Sequence, residues 1–426
     1  MRAAWGKFYS TFEGATNFNE IGDAPFGNYY GSPVPPEFVT PFIDRGTGHV
    51  EGQRFPVAPP PGNSSPSHPD TSINWANFLP IGTSPAFYYK NVLPYAEEYE
   101  LSLQRQLGSA TLLSLSYVGS QGHHLLSSLE ANAGDPALCL SVNQPDQVQE
   151  GTSTCGPNGE NGVYSPIAGG TINSTRGPFG PNFTSEGYFI TSGKSSYNSL
   201  QASVREQFSR LSFLAGYTFS KSLDNASGYG EQINLVNPGQ YSLSSFNVAH
   251  NFVVSYDYDL PFYMVPDPSR LVRGWKLTGI TRFSTGSPVT LFEVDDRSLL
   301  GTSGAGAISL PIDRPNYAPG PLHISDPRNG TSYFNTALFS QEDLGHVGTA
   351  NRRFFAAPGL DNWDAALLKD TSLADEVKLE FRAELFNAFN HAQFGQPDGN
   401  FNSTTFGKVN TANAPRIMQL SLKLLF

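Results

Sequence analysis

The chain has 426 residues, only 15% of them charged, with 42 Gly, 33 Pro, 13% aromatics and a formal net charge of −11. An acidic balance with no basic stripe offers no phosphate footprint and excludes nucleic acid as a partner. No apolar run reaches the eighteen or more residues of a membrane-spanning helix. Abundant turn formers over a slightly negative mean hydropathy suit strands joined by long polar loops.

The first residues, "MRAAWGKFYSTFEG", have no apolar h-region and no cleavage site, so they do not read as a signal peptide. Residues 2–9 read as a short strand. The stretch 10–96 is rich in Pro and Gly ("SPVPPEF", "FPVAPPPGNSSPSHPD") and has room for a further hairpin.

From residue 97 the period becomes two. In "EEYELSLQRQL" (97–107) Tyr99, Leu101 and Leu103 share one face and Glu98, Glu100, Ser102 and Gln104 the other. After Gly108-Ser109, "ATLLSLSYVG" (110–119) sets Leu113, Leu115 and Tyr117 on one side. "NSLQASVREQF" alternates Leu200, Ala202, Val204 and Phe208 against Ser199, Gln201, Ser203, Arg205 and Gln207, and "LSFLAGYTFS" aligns Leu211, Phe213, Ala215, Tyr217 and Phe219. "VAHNFVVSYDYDL" opposes Phe252, Val254, Tyr256 and Tyr258 to Asn251, Ser255, Asp257 and Asp259. "GWKLTGITRFSTG" opposes Trp275, Leu277 and Phe283 to Lys276, Thr278 and Arg282. The segment 376–389 is rich in helix formers, but a helix would scatter Val377, Leu379, Phe381, Ala383 and Leu385 around its axis, whereas a strand gathers them on one face. The last stretch, "IMQLSLKLLF", alternates Met418, Leu420, Leu422, Leu424 and Phe426 with Gln419, Ser421 and Lys423.

The connections alternate short and long. Residues 108–109, 209–210 and 372–375 are tight and 261–273 moderate; 120–196, 223–246, 293–361 and 390–414 are long. Several long loops are out of place in a compact soluble domain. Short turns at one end and long loops at the other suit a transmembrane barrel, whose sheet must close because lipid offers its backbone no hydrogen-bond partner. Aromatics near strand ends, among them Tyr99, Tyr117, Phe219, Tyr258, Trp275, Trp363 and Phe389, suit interfacial girdles. With short turns periplasmic and 415–426 descending, parity gives ten strands, residues 2–9 ascending first. The expected fold is all-β: an antiparallel transmembrane β-barrel with long extracellular loops, in the bacterial outer membrane.

No catalytic, cofactor-binding or metal-ligating residues are assigned. The chain holds no GxSxG, HExxH, P-loop or GxGxxG. His123 and His124 read as loop residues, Asp257 and Asp259 as part of the polar lining, and Lys378, Glu380, Arg382 and Glu384 as a charge ladder there. The Gly-rich "LLGTSGAGAISLP" (299–311) has no following Lys-Ser/Thr and reads as a surface loop. Cys139 and Cys155 lie in a polar loop and form either a disulfide, in an oxidising compartment, or two unrelated thiols.

Several stretches together resemble the Oar-like TonB-dependent transporters: "LPYAEEYELSLQRQLGSATLLSLSYVGSQGHHL", "SSYNSLQASVREQFSRLSFLAGYTFSKSLDNASG", "FNVAHNFVVSYDYDLPF", "GWKLTGITRFSTGSPVT", "DNWDAALLKDTSLADEVKLEFRAELFNAFNHAQFGQP" and the terminal "LSLKLLF". The resemblance runs over almost all of 1–426 and is densest from Pro94 to Phe426. It implies a 22-stranded barrel, a plug domain within it and an N-terminal segment that contacts TonB. This sequence shows no plug, no coupling segment and about ten strands, so residues 1–426 read as the C-terminal part of such a barrel, a fragment whose link to TonB would run through the missing plug region. The family implies uptake of an extracellular substrate, which no loop here names; a surface-exposed structural or adhesion barrel, or a passive pore, is the competing expectation. Leu422, Leu424 and Phe426 resemble the terminal signal read by the barrel-assembly machinery, without the glycine expected earlier in it.

Overall fold

A chain that alternates apolar and polar side chains satisfies both faces at once only as a strand between two different surroundings. The computed structural model describes residues 1–12, 81–142, 163–164, 173–174, 179, 183–233, 240–264, 269, 272–300, 313–324, 330–374 and 377–426. Its elements run β1 (Arg2–Tyr9), β2 (Ile81–Phe87), β3 (Tyr95–Leu107), β4 (Thr111–Glu130), a short helix α1 (Pro136–Val142), β5 (Val163–Tyr164), β6 (Asn173–Ser174), β7 (Phe183–Gln207) and β8 (Leu211–Asp224). Then follow β9 (Ser242–Leu243), β10 (His250–Asp259), β11 (Trp275–Ser284), β12 (Asn316–Tyr317), β13 (Phe339–Ser340), β14 (Leu360–Ser372), β15 (Lys378–Phe386) and β16 (Ile417–Leu425).

Ten strands form one meander in the order β1-β3-β4-β7-β8-β10-β11-β14-β15-β16. Every pairing along that path is antiparallel. Each strand of the path thus lies beside its sequence predecessor, the arrangement that hairpin connections enforce. The chain turns at one end of the sheet after β3, β7, β10 and β14, and leaves and re-enters it at the other end between β1 and β3, β4 and β7, β8 and β10, β11 and β14, and β15 and β16. Gly108 makes the β3–β4 turn with φ +65, a conformation open to glycine at no steric cost. The outer edges of β1 and β16 pair with no strand among the described residues, so the sheet is not closed.

Register shows that the alternation holds across the whole sheet. Residues opposite one another share a face, and one row runs Leu103–Leu115–Ala202–Tyr217–Phe252–Phe283. A second runs Leu277–Leu367–Ala383–Leu420. Leu103, Leu115, Tyr217 and Leu420 are exposed there, an apolar surface built for something other than water. Tyr99 lies over Gly119 on this face, and any Cβ at Gly119 would strike its ring. At the long-loop end, ring contacts follow the rim: Tyr217 to His250, Phe252 to Phe283, Phe283 to Trp363 and Trp363 to Phe389. The Tyr217 hydroxyl and His250 Nδ1 are 2.7 Å apart. At the other end Lys369 places Nζ 5.3 Å from the Trp275 ring. Trp275 to Phe283 is eight residue steps, about 26 Å of strand at some 3.3 Å per residue, close to the height of an apolar membrane band.

The opposite face is polar, and its charges pair both across strands and along one. Lys276 Nζ lies 3.1 Å from Asp257 and 3.8 Å from Asp259. Arg382 is 2.6 Å from Glu384, and Glu380 faces Lys423.

The structure departs from the sequence expectation above the rim. The strand expected to end at 119 continues to Glu130, and its partner begins at Phe183 rather than near 197, which shortens the loop expected over 120–196. The extension passes through register shifts between Gly122 and Ser127, with His124 at φ 55. A bulge resets the facing of the residues beyond it, so no alternation announces them. His123 and His124 therefore sit on a strand, His123 stacked on Tyr95 at 4.9 Å. β11 stops at Ser284, and "SPVTLF" leaves the sheet at once. In 10–96 most of the region of the expected hairpin lies outside the described residues; its described part, β2, pairs parallel with β7.

Leu115→Arg, a charge at mid-height on the apolar face, is expected to destabilise the membrane-inserted protein by about 2–4 kcal/mol, whereas Ser114→Arg on the polar face is expected to change little. Denaturant titration in lipid vesicles, read by heat-modifiable gel mobility, measures both.

Candidate functional site

The hydrophobic core lies outside the sheet, in the long loops. Val289, Leu291, Phe334, Phe339, Ala350 and Ala357 are buried together, with Phe401 and Phe406 of the β15–β16 loop packed on them. Phe334 stands edge-on to Phe339 at 5.6 Å and to Phe406 at 5.3 Å, the favoured geometry for ring pairs. The described parts of loops 285–359 and 387–416 thus pack together as one cap. The β4–β7 loop joins it where Cys139 of α1 buries against Leu299, with Leu344 alongside. Gly134 N–H donates to the Leu300 carbonyl at 2.7 Å.

A buried ionic cluster fastens this cap to the sheet. Arg352 bonds the Asp224 carboxylate at the end of β8 and donates to the Asn225 carbonyl at 2.8 Å. It lies 3.1 Å from Glu231, which also takes Arg353 at 2.6 Å. Arg353 Nε donates to Thr290 Oγ1 at 2.6 Å, and Arg314 donates to Gln240 Oε1 at 3.0 Å. Burial works to raise the Glu231 carboxyl, but Arg352 and Arg353 overrule it and hold it below the ordinary value of 4.5. Burial pulls the Arg314 guanidinium down to about 9, and Arg352 adds to the effect.

On the polar face of the sheet, beside residues 246–248 of the β8–β10 connection, lies a cavity of about 320 Å³ lined by Tyr197, Gln201, Thr218, Phe246, Asn251 and Arg282 among others. Among the described residues Arg282 is the one charged side chain in its lining, and its Nε donates to Asn251 Oδ1 at 3.0 Å. Phe246 is 63% exposed, an aromatic ring presented to the open side. The volume falls in the range of small-molecule sites, and amides, hydroxyls, two rings and one cation can orient a polar ligand by hydrogen bonds and stacking. At the short-turn end a wider recess of about 490 Å³ is lined by Arg205, Gln207, Ser212 and Asp257 among others.

The comparisons with known proteins bear on the sheet as a whole. The model of a family described as "Outer membrane beta barrel domain" matches residues 1–419. The chain belongs to this family. Its apolar face is therefore the lipid face, its polar face lines the lumen, and the protein resides in the bacterial outer membrane. A search of curated proteins finds no match to the sequence. Among solved structures, the outer membrane transporter YddB from Escherichia coli is similar at 12% identity and a TM-score of 0.41, covering 81% of this chain and 34% of that one. The ferripyoverdine receptor of the outer membrane of Pseudomonas aeruginosa is similar at 11% and 0.35, covering 78% and 27%, and BauA, the ferric preacinetobactin receptor from Acinetobacter baumannii, at 12% and 0.35, covering 80% and 32%. The chain spans about a third of the length of these proteins. Likeness at this level says nothing of what this chain carries.

The residues singled out from the sequence lie apart from the cavity. Leu422, Leu424 and Phe426 stand exposed at the β16 edge. Cys139 is buried in α1, and Cys155 lies outside the described residues. Sequence reasoning missed Arg352, Arg353, Asp224 and Glu231; the one local sign was two adjacent arginines in "NRRFF", in a chain poor in charge.

Arg352→Ala leaves Asp224 and Glu231 buried against fewer cations and is expected to cost about 3–5 kcal/mol of cap stability. Arg382→Ala, at a half-exposed pair, is expected to cost no more than about 1 kcal/mol. Protease nicking of the loops, with strand content followed by circular dichroism, distinguishes the two. Because the Glu231 carboxyl is depressed in the folded cap, its contribution is complete above pH 4.5 and is lost as pH falls below it, so nicking of the wild type rises in acid.

Proposed function

We propose that this chain forms the wall and outer mouth of an Oar-like TonB-dependent receptor, which takes an extracellular substrate at the long-loop end of the lumen. The observation that carries the reading is the division of the sheet: one apolar face, one hydrogen-bonding face, and long connections that all leave and re-enter at the same end. Tyr197, Gln201, Asn251, Arg282 and Phe246 would meet the substrate on the lumen face. The loop tips alone, 131–182 and 285–359, would suffice for the second reading, a surface-exposed adhesion barrel. The resemblance supplies the plug and the link to TonB, which in this reading belong to sequence preceding the barrel; Leu422, Leu424 and Phe426 would hand β16 to the barrel-assembly machinery. Cys139 would pair with Cys155 and hold the β4–β7 loop closed, worth about 3 kcal/mol for a loop of this size.

The test is uptake by cells carrying the gene with its upstream reading frame, supplied with a panel of iron chelates, saccharides and peptides. The expected result is uptake of one class that a protonophore abolishes and that Arg282→Ala weakens about tenfold. Uptake indifferent to the protonophore, together with steady conductance in planar bilayers, sends the reading to a passive pore. Peptide mapping before and after reduction settles the cysteines: a Cys139–Cys155 linked peptide is expected, and two alkylated thiols without reduction exclude it.

A further inference from the structure

One part of the cap has charges that its hydrogen bonds do not answer. Glu293 and Glu342 are 0% and 2% exposed, and neither carboxylate receives a hydrogen bond at either oxygen. Asp313, 1% exposed, takes Ser298 N–H on Oδ2 at 3.0 Å and nothing on Oδ1. A buried ionised carboxylate without donors costs several kcal/mol. The backbone around it is nonetheless tightly tied. Glu293 N–H donates to the Asp313 carbonyl at 2.8 Å, Gly345 N–H to the Arg297 carbonyl at 2.7 Å, and Arg297 Nε to the Glu342 carbonyl at 3.2 Å. Three stretches of one loop, around 293, 313 and 342, converge on carboxylates with nothing to accept.

The Glu342 carboxyl lies within hydrogen-bonding reach of that of Glu293. Two carboxylates so placed cannot both be ionised, and one proton between them turns repulsion into a short charge-assisted O–H···O bond. The other charged groups facing the pair are Asp313 and Arg297, with Asp296 beside Asp313. Among the described residues no three His, Cys, Asp or Glu side chains stand where they could hold a metal ion, so a bound cation would have no third such ligand here.

We propose that Glu293 and Glu342 share one proton and that this acid pair is a latch: it keeps the stretches around 293, 313 and 342 together while the proton is held, and releases them when it is lost. Burial, with Glu342 alongside, pushes the Glu293 carboxyl up to about 9, and burial pushes Asp313 up to about 7. Both shifts are upward from ordinary values of 4.5 and 3.8. Their contribution to cap stability is thus complete at or below those ordinary values, withdrawn first by Asp313 as pH climbs to about 7, and by the pair up to about 9. The latch acts on the cap whatever the barrel carries, so its failure leaves the uptake reading standing, and the reverse.

The test is hydrogen exchange by mass spectrometry on the full chain in detergent between pH 6 and pH 10, corrected for intrinsic rates. Protection of amides 289–298 is expected to fall by up to about tenfold per pH unit for each ionising group, while β7 and β8 amides hold theirs. Glu342→Gln, which gives Glu293 a permanent amide donor, is expected to flatten the profile, as is Glu293→Gln for its partner. A flat wild-type profile overturns the proposal, and so does Glu342→Gln keeping the wild-type slope. Protection at pH 9 restored by millimolar calcium also overturns it, since the oxygens then hold a cation. If the variants do not fold, infrared spectroscopy of the wild type decides. A protonated-carboxyl band present at pH 7 and gone at pH 10 supports the latch; its absence at pH 7 overturns it.

Discussion

The constraint on which the rest depends is the backbone hydrogen bond in lipid. Water is not there to accept from an N–H or donate to a C=O, so every strand that crosses must be paired on both sides. The ten-strand meander satisfies this for its eight inner strands, and sequence-adjacent pairing is its simplest solution. Pairing in register then forces side chains at facing positions onto one face, and so Leu103, Leu115 and Ala202 form a continuous apolar row although they come from three strands. The same constraint singles out the free edges of β1 and β16. An unpaired strand edge is tolerable against water and costly against lipid, so in the membrane those two edges face further strands or each other.

Within the sheet there is little to pack. Outer side chains meet lipid, inner ones line a lumen, and the strands hold together through their ladders and through pairs such as Tyr99 over Gly119. The loops lie in water and follow the rules of a soluble domain. They bury aromatic rings around Phe334 and pair charges out of water, with arginines that reach back to Asp224 at the top of β8. Barrel and cap are thus two folding problems in one chain, solved by different forces and joined at Arg352 and Arg353.

That division explains what could be read from the sequence. The strands are written locally: Leu379, Phe381, Ala383 and Leu385 declare their face within seven residues, and their partners in β16 declare the same face. The cap is written non-locally. Arg352 meets a carboxylate 128 residues earlier, and Glu293 meets Glu342 across most of a loop with no period of any kind. Between these cases lies the extension of β4 and β7 above the rim, where a bulge resets the register and small polar residues such as Ser127 and Ser128 are buried on both faces, so the pattern fades before the strands do. The lumen cavity escaped notice for a related reason. Gln201, Asn251 and Arg282 read correctly as polar-face residues, but nothing along the chain says that Phe246 comes to line the cavity with them.

The charges follow the same partition, and here the two halves differ in kind. On the lumen face, Lys276 with Asp257 is a half-exposed pair in high dielectric, worth little and screened by salt. In the cap the charges are out of water, where the cost of mismatch is large and the protonation state decides its sign. Glu231 is held by arginines and needs to be ionised; Glu293 has only carboxylates close by apart from Arg297 and needs its proton. One group weakens the cap in acid, the other in alkali, and neither touches the strands. A loop assembly so built is most ordered near pH 4.5, where the loss on the acid side has ended and the loss on the alkaline side has yet to begin.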